Sequence, residues 1–282
     1  MNRRANIMIA SVAVCMLGAC GTPPPISPAA TLAQASTLRG AQAFARGDLT
    51  GSRREYTTAL HIHESLGDTQ ERAATLLSLA RVSAQAGQGA DALTKVNKVL
   101  ADQAQLGAPM VITAHGRASA LYLAQGDTQR ADQHLIQATT ACAGACADAG
   151  ALAVLRARLA LAQQQPAQAL KLATDALGMP GLATATPPTL RPQASTERAN
   201  ALRVQAQAQS ALGQHDAAAV AASAALDLDR PLGLAERVLL DLQLLANAYE
   251  ALGATALARQ YQSLAERAPA AGLALRGEVL AD

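Results

Sequence analysis

The stretch Tyr56-Thr57-Thr58-Ala59-Leu60-His61-Ile62-His63-Glu64-Ser65-Leu66-Gly67-Asp68 decides how the rest of the chain is read. It sets a bulky residue, Tyr56, three positions before a small one, Ala59, and it ends on a Leu-Gly-Asp link. Working outward, apolar residues recur at helical spacing from residue 32 onward, interrupted by breaks at Gly47, Gly87, Gly126, Gly213 and Gly253. The breaks lie about 40 residues apart, except for one double interval that hides a degenerate copy turning near Gln164 to Pro166. Around each break small residues stand at fixed offsets. Gly40, Ala80, Ser119, Ala157, Ala206 and Ala246 precede it, and Ser52, Ala92, Ala131, Ala169, Ala218 and Ala258 follow it. One further set, Ala59, Val99, Ala138, Ala176, Ala225 and Ala265, comes seven residues later. Two antiparallel helices interlock closely only where the side chains at their crossing are small, so the pattern predicts stacked helical hairpins.

Composition agrees. Of 282 residues half are hydrophobic, but alanine supplies roughly a quarter of the chain, and alanine has the best helix propensity. A net charge of +2 and 2% aromatic residues leave neither a phosphate-tracking surface nor stacking platforms for bases or sugars. The chain is therefore expected to be all-α and to bind no nucleic acid.

The three small positions, with Tyr56 filling the bulkier place in the first copy and Tyr122 and Tyr249 on first helices, resemble the tetratricopeptide repeat. The opening stretch is similar to the long repeats of the kinesin light chain type, whose extended helices suit a period near 40. The resemblance implies a solenoid of about five to six helix-turn-helix repeats. Residues 33–178 hold copies one to four, 197–268 hold copies five and six, and 269–282 form a capping segment. Copy four is the weakest, with Gln163-Gln164-Gln165-Pro166 as its turn and Ala173 where bulk is expected, and local fraying is predicted there. Residues 179–196, with Pro180, Pro187, Pro188 and Pro192, read as an inserted irregular loop.

Residues 1–19 have the three parts of an export signal: Arg3 and Arg4, an apolar Ile7 to Met16, and small residues before a cleavage point. Leu17-Gly18-Ala19-Cys20 resembles the lipobox of bacterial lipoproteins. That family implies a lipidated Cys20 as first residue of the mature chain, and Gly21 in place of Asp implies the outer membrane. Residues 20–32, rich in proline from Pro23 to Pro28, read as an extended tether. The two remaining cysteines, Cys142 and Cys146, would then sit in an oxidising compartment and are expected to be disulfide-bonded, with Gly144 letting the chain bend.

No nucleophile elbow, phosphate loop or zinc helix is present in the sequence, so no enzyme and no cofactor are expected. His61 and His63 are two apart on a helix and point to different faces, while His115, His134 and His215 stand singly, so no metal site is expected. In the tetratricopeptide family the concave face, lined by first helices, holds partners. Its register here falls on Arg81, Arg158, Arg203, Gln207, Gln243 and Asn247, with Asn200 and Thr113 nearby. Arginines and amides suit the acidic groups and backbone carbonyls of an extended peptide. The sum is a lipid-anchored, non-enzymatic adaptor facing the periplasm, whose partner is a protein or extended peptide and whose membrane contact is the lipid alone. Its layout is similar to that of type IV pilus pilotins and outer-membrane assembly lipoproteins. The alternatives are an accessory regulator of an envelope enzyme acting through the 179–196 loop or the Cys142/Cys146 pair, and a self-associating structural lipoprotein.

Overall fold

The computed structural model describes residues 27–144, 146–182 and 192–275, with side-chain surroundings to residue 268. The expected lipidation site Cys20, the export signal, and Arg276 to Asp282 lie outside the described residues. Six hairpins follow one another: α1 (Pro28–Ala45) with α2 (Leu49–Leu66), α3 (Thr69–Gln85) with α4 (Gly89–Ala101), and α5 (Ala108–Ala124) with α6 (Thr128–Cys142). The others are α7 (Ala149–Ala162) with α8 (Pro166–Leu177), α9 (Pro192–Ala211) with α10 (His215–Asp229), and α11 (Ala235–Ala251) with α12 (Thr255–Leu275).

Each hairpin turns by the same backbone device. The break residue takes a left-handed conformation, with φ of 79° at Gly47, 78° at Gly126 and 71° at Gly253. The next residue donates its N–H back to the end of the first helix, as in Asp48 to Ala43 O, Asp127 to Tyr122 O and Ala254 to Tyr249 O. The degenerate copy turns the same way without a glycine: Gln164 adopts φ 60°, and Gln165 N donates to Ala160 O at 2.9 Å. Asp48, Asp68 and Asp127 then cap the following helices, each accepting from a backbone N–H three residues on.

The small residues do what their spacing requires, and all three sets are buried in every copy. Ser52 Oγ donates to Gly40 O at 2.9 Å, and a Cβ on Gly40 would stand 3.0 Å from the Tyr56 ring. Helices α1 and α2 can approach this closely only with glycine at that position. Between hairpins, each second helix packs on the next first helix, and first helices also meet one another along α3, α5, α7, α9 and α11. They form the inner wall of the superhelix. That wall curves far enough that Gln85 Nε2 at the end of α3 donates to Glu236 Oε2 in α11 at 2.6 Å, across 151 residues of sequence.

Three boundaries differ from the sequence expectation, two of them for one reason. α1 starts at Pro28, capped by Ser27, so the expected tether to residue 32 is helical over its last residues. α9 starts at Pro192, which shortens the expected 179–196 loop, and Met179 to Leu182 is a turn whose Leu182 is buried. Proline breaks a helix from within but suits its first turn, where its missing N–H would have no partner anyway. Finally, residues 269–275 of the expected capping segment continue α12, and the rest of that segment lies outside the described residues.

Candidate functional site

The inner wall is where exposed polar side chains from separate helices converge. Gln207 on α9, with Gln243 and Asn247 on α11, lies open to solvent there, and so do Arg81 on α3 and Arg158 on α7. Arg158 is exposed, yet protein surrounds it on most sides, and this desolvation pulls its pKa below the ordinary guanidinium value. Both facts together describe a group inside a concave surface. Arg81 lies 4.1 Å from the centroid of the Phe44 ring, a cation–π contact, and burial lowers its pKa too.

Arg203 is not a free groove residue. It is buried, and each of its three guanidinium nitrogens donates: Nε to Asp241 Oδ1 at 2.6 Å, Nη1 to Asn200 Oδ1 at 2.7 Å, and Nη2 to Asp229 Oδ2. Asp229 closes α10 and Asp241 lies in α11, so one arginine ties three helices together. Two buried carboxylates share this one cation. Burial, the largest cause, raises the pKa of both against the pull of Arg203, and Asp241 is pushed up to about 6. Asp229 Oδ1 and Asp241 Oδ2 have no hydrogen-bond partner among the described residues. Removing Arg203 would leave two unpaired buried acids, so its role is to hold the fifth and sixth hairpins together.

Two arginines that the family register passed over belong to the wall. Arg117 on α5 is half-buried and donates to Leu77 O at 3.0 Å, and Arg237 in the first turn of α11 reaches Asn200 Oδ1 at 3.3 Å. Both lie on the expected stripe but earlier along it: Arg117 one turn before Ala120, the counterpart of Arg81, and Arg237 nearly three turns before Asn247. Following the stripe toward the start of α5 and α11 would have found them. Burial is the first cause lowering the pKa of each, and the charge of Arg81 adds to it at both. Asn200 and Thr113, expected beside the groove, serve its acids: Asn200 Nδ2 donates to Glu197 at 3.2 Å and Thr113 Oγ1 to Asp148 at 2.7 Å.

Elsewhere, Cys142 and Cys146 are joined by a disulfide across a bend in which Ala143 and Gly144 take left-handed conformations. His61 is exposed and His63 buried. His115 and His134 are not scattered singly. Their Nδ1 atoms stand 2.9 Å apart between α5 and α6, with Tyr122 stacked on His134. Among the described residues no three metal-ligating side chains gather, and no helix is long and apolar enough to cross a membrane.

No protein-family model matches the sequence, and no curated protein does. Among solved structures the chain is similar to the Rap protein complexed with the competence and sporulation factor, at TM-score 0.54 and 15% identity over 87% of this chain and 67% of that one. It is also similar to a variant of a Podosopora anserina protein described as a kinesin light chain of nearly identical TPR-like repeats. There the TM-score is 0.50 with 18% identity over 70% of this chain and 94% of that one. At such identities the likeness is one of fold, and with the six hairpins it makes this chain an all-α tetratricopeptide solenoid.

Proposed function

We propose that the chain is a non-enzymatic adaptor that holds an extended segment of a protein partner against its inner wall, anchored by lipid on Cys20 to the outer membrane and facing the periplasm. The observation that carries the binding role is the convergence of exposed Arg81, Arg158, Gln207, Gln243 and Asn247 from four first helices on one concave surface. Amides suit the carbonyls and N–H groups of an extended backbone, and guanidinium groups suit its acidic side chains. Rap, a solenoid of similar form, is seen in complex with a competence and sporulation factor, which supports a ligand-binding role. The anchor rests on Leu17-Gly18-Ala19-Cys20 followed by Gly21, and the oxidised Cys142–Cys146 pair suits an exported protein. Assembly of a pilus or of the envelope is the process this layout suits best.

Affinity capture of the full-length protein from cross-linked cells, compared with a Gln207→Ala/Gln243→Ala/Asn247→Ala variant, tests the adaptor role. Partners lost in the variant would support it, and an unchanged list would move binding off the inner wall. Metabolic labelling with palmitate tests the anchor, since Cys20→Ala should abolish both label and membrane association. Label retained in that variant would overturn it.

A further inference from the structure

The inner wall is bridged from α3 to α11 by the hydrogen bond of Gln85 to Glu236, in the first turn of α11, so the placement of α11 decides whether the superhelix shuts there. Farther along the same helix Asp241 is fully buried, and so is Asp229, the last residue of α10. Arg203 on α9 binds one oxygen of each. The remaining oxygens, Asp229 Oδ1 and Asp241 Oδ2, are buried and meet no donor among the described residues, yet the two carboxyls lie within hydrogen-bonding reach of each other.

Two ionised carboxylates cannot satisfy one another, because both only accept. One proton resolves this: an O–H on either carboxyl donates to the other, and a single negative charge is left for Arg203. The charges around the pair do not take the place of that proton. Arg237 on α11 attracts Asp229, but its own hydrogen bond goes to Asn200, and beyond it Glu197 on α9 and Arg158 on α7 act on one another. Asp227 and Arg230, which flank Asp229 along the chain, are exposed, as are Arg259, Glu266 and Arg267 on α12. An asparagine at either position would make the same hydrogen bonds at every pH. Aspartate at both makes the joint conditional on a proton.

The chain between the two acids supplies a hinge. It runs through the short turn Arg230–Leu232 and through Gly233, at φ 66°, before α11 begins. We propose that Asp229 and Asp241 hold one proton between them and that this proton controls the closure of the superhelix. With the proton bound, α10 and α11 are joined through the acid pair and Glu236 meets Gln85. Without it two buried like charges repel, α11 tilts about the turn, and its contact with α3 is released. Acid therefore closes the inner wall, and a rise in pH opens it. Burial lets the pair keep its proton to higher pH than exposed aspartates do, since it raises both groups and brings Asp241 to about 6. The inference concerns the shape of the wall and is independent of what the wall holds.

The test uses the full-length protein in detergent. Ala84→Cys and Leu240→Cys place nitroxide labels at exposed positions on α3 and α11, and the singly substituted proteins give the background of the native cysteines. Pulsed electron spin resonance at pH 5 and pH 7.5 should show a longer or broader distance at the higher pH. Asp241→Asn, whose amide donates to Asp229 as the proton does, should keep the short distance at both values; Asp229→Asn is the second variant should the first fold poorly. His134→Gln, which removes the other buried titrating pair, should leave the response intact. Carboxyl carbon NMR of the wild type should show two aspartate signals that shift together near pH 6. A wild-type distance unchanged by pH, a change that persists in both asparagine variants, or one lost in His134→Gln would overturn the proposal. So would aspartate signals that all titrate below about pH 5.

Discussion

Asp241 and His134 titrate in opposite senses, and the sign of each follows from what surrounds it. Asp241 is fully buried, held by Arg203 and beside Asp229, and its pKa lies near 6 instead of the ordinary 3.8. Between those values the folded state binds more protons than the unfolded one, so this group's contribution is complete below about 3.8 and is lost as pH rises through about 6. The difference is on the order of 2 to 3 kcal/mol. Asp241→Asn keeps an acceptor for Arg203 Nε and removes one of two competing charges. Thermal unfolding from pH 4 to 7 should show the variant more stable at neutral pH and its pH slope flattened; an unchanged slope would sink the idea. His115 and His134 are pushed below the ordinary imidazole value, first by burial and at His115 also by the charge of His134. Here the unfolded state binds more protons, so stability should fall as pH drops below about 6.5. In His134→Gln that acid loss should shrink, because only one ring remains to be charged, and unfolding curves at pH 7 and 5.5 would measure it.

The hairpins were legible in the sequence because their determinants are local: small residues at fixed offsets and a residue able to turn left-handed between them. Even the copy without a glycine could be placed, since Gln164 stands where its neighbours put one and adopts φ 60°. What could not be read is what meets across helices. Arg203 is 26 residues from Asp229 and 38 from Asp241, and His115 is 19 from His134; no periodicity along one helix reports a partner on another. The weakness assigned to the fourth hairpin has a physical content at this scale. Its second helix, α8, buries only Ala169, Ala173 and Ala176, whereas α4 buries Val96 and Val99 and α6 buries Leu135; its first helix, α7, buries Leu152, Leu155 and Leu159 in a cluster shared with the second and third hairpins. A buried leucine contributes about 1.5–3 kcal/mol, and alanine much less for want of area. In an array whose stability is nearly a sum over neighbours, amides of α8 should exchange fastest among the central hairpins. Hydrogen exchange read by mass spectrometry checks this, and uniform protection from α3 to α10 would count against it.

At the scale of the whole molecule the superhelix brings like charges together that the chain keeps far apart, and that placement separates a binding role from a structural one. Arg158 makes no hydrogen bond or ion pair among the described residues; burial is the largest cause lowering its pKa, Glu197 attracts it, and Arg203 and Arg237 repel it. If it served the fold, replacing it would lower stability. If it is held for a ligand, neutralising it removes a desolvated charge together with its repulsion from Arg203 and Arg237, and the empty protein should gain. Two like charges near a wet surface repel by about 0.5 kcal/mol, which for a chain of this size is a Tm rise of about 1–2 °C in Arg158→Gln. Salt supplies the control, because screening should raise the Tm of the wild type more than that of the variant and bring the two together near 1 M. A Tm lowered by the substitution, at any salt concentration, would place Arg158 in the fold's own electrostatics.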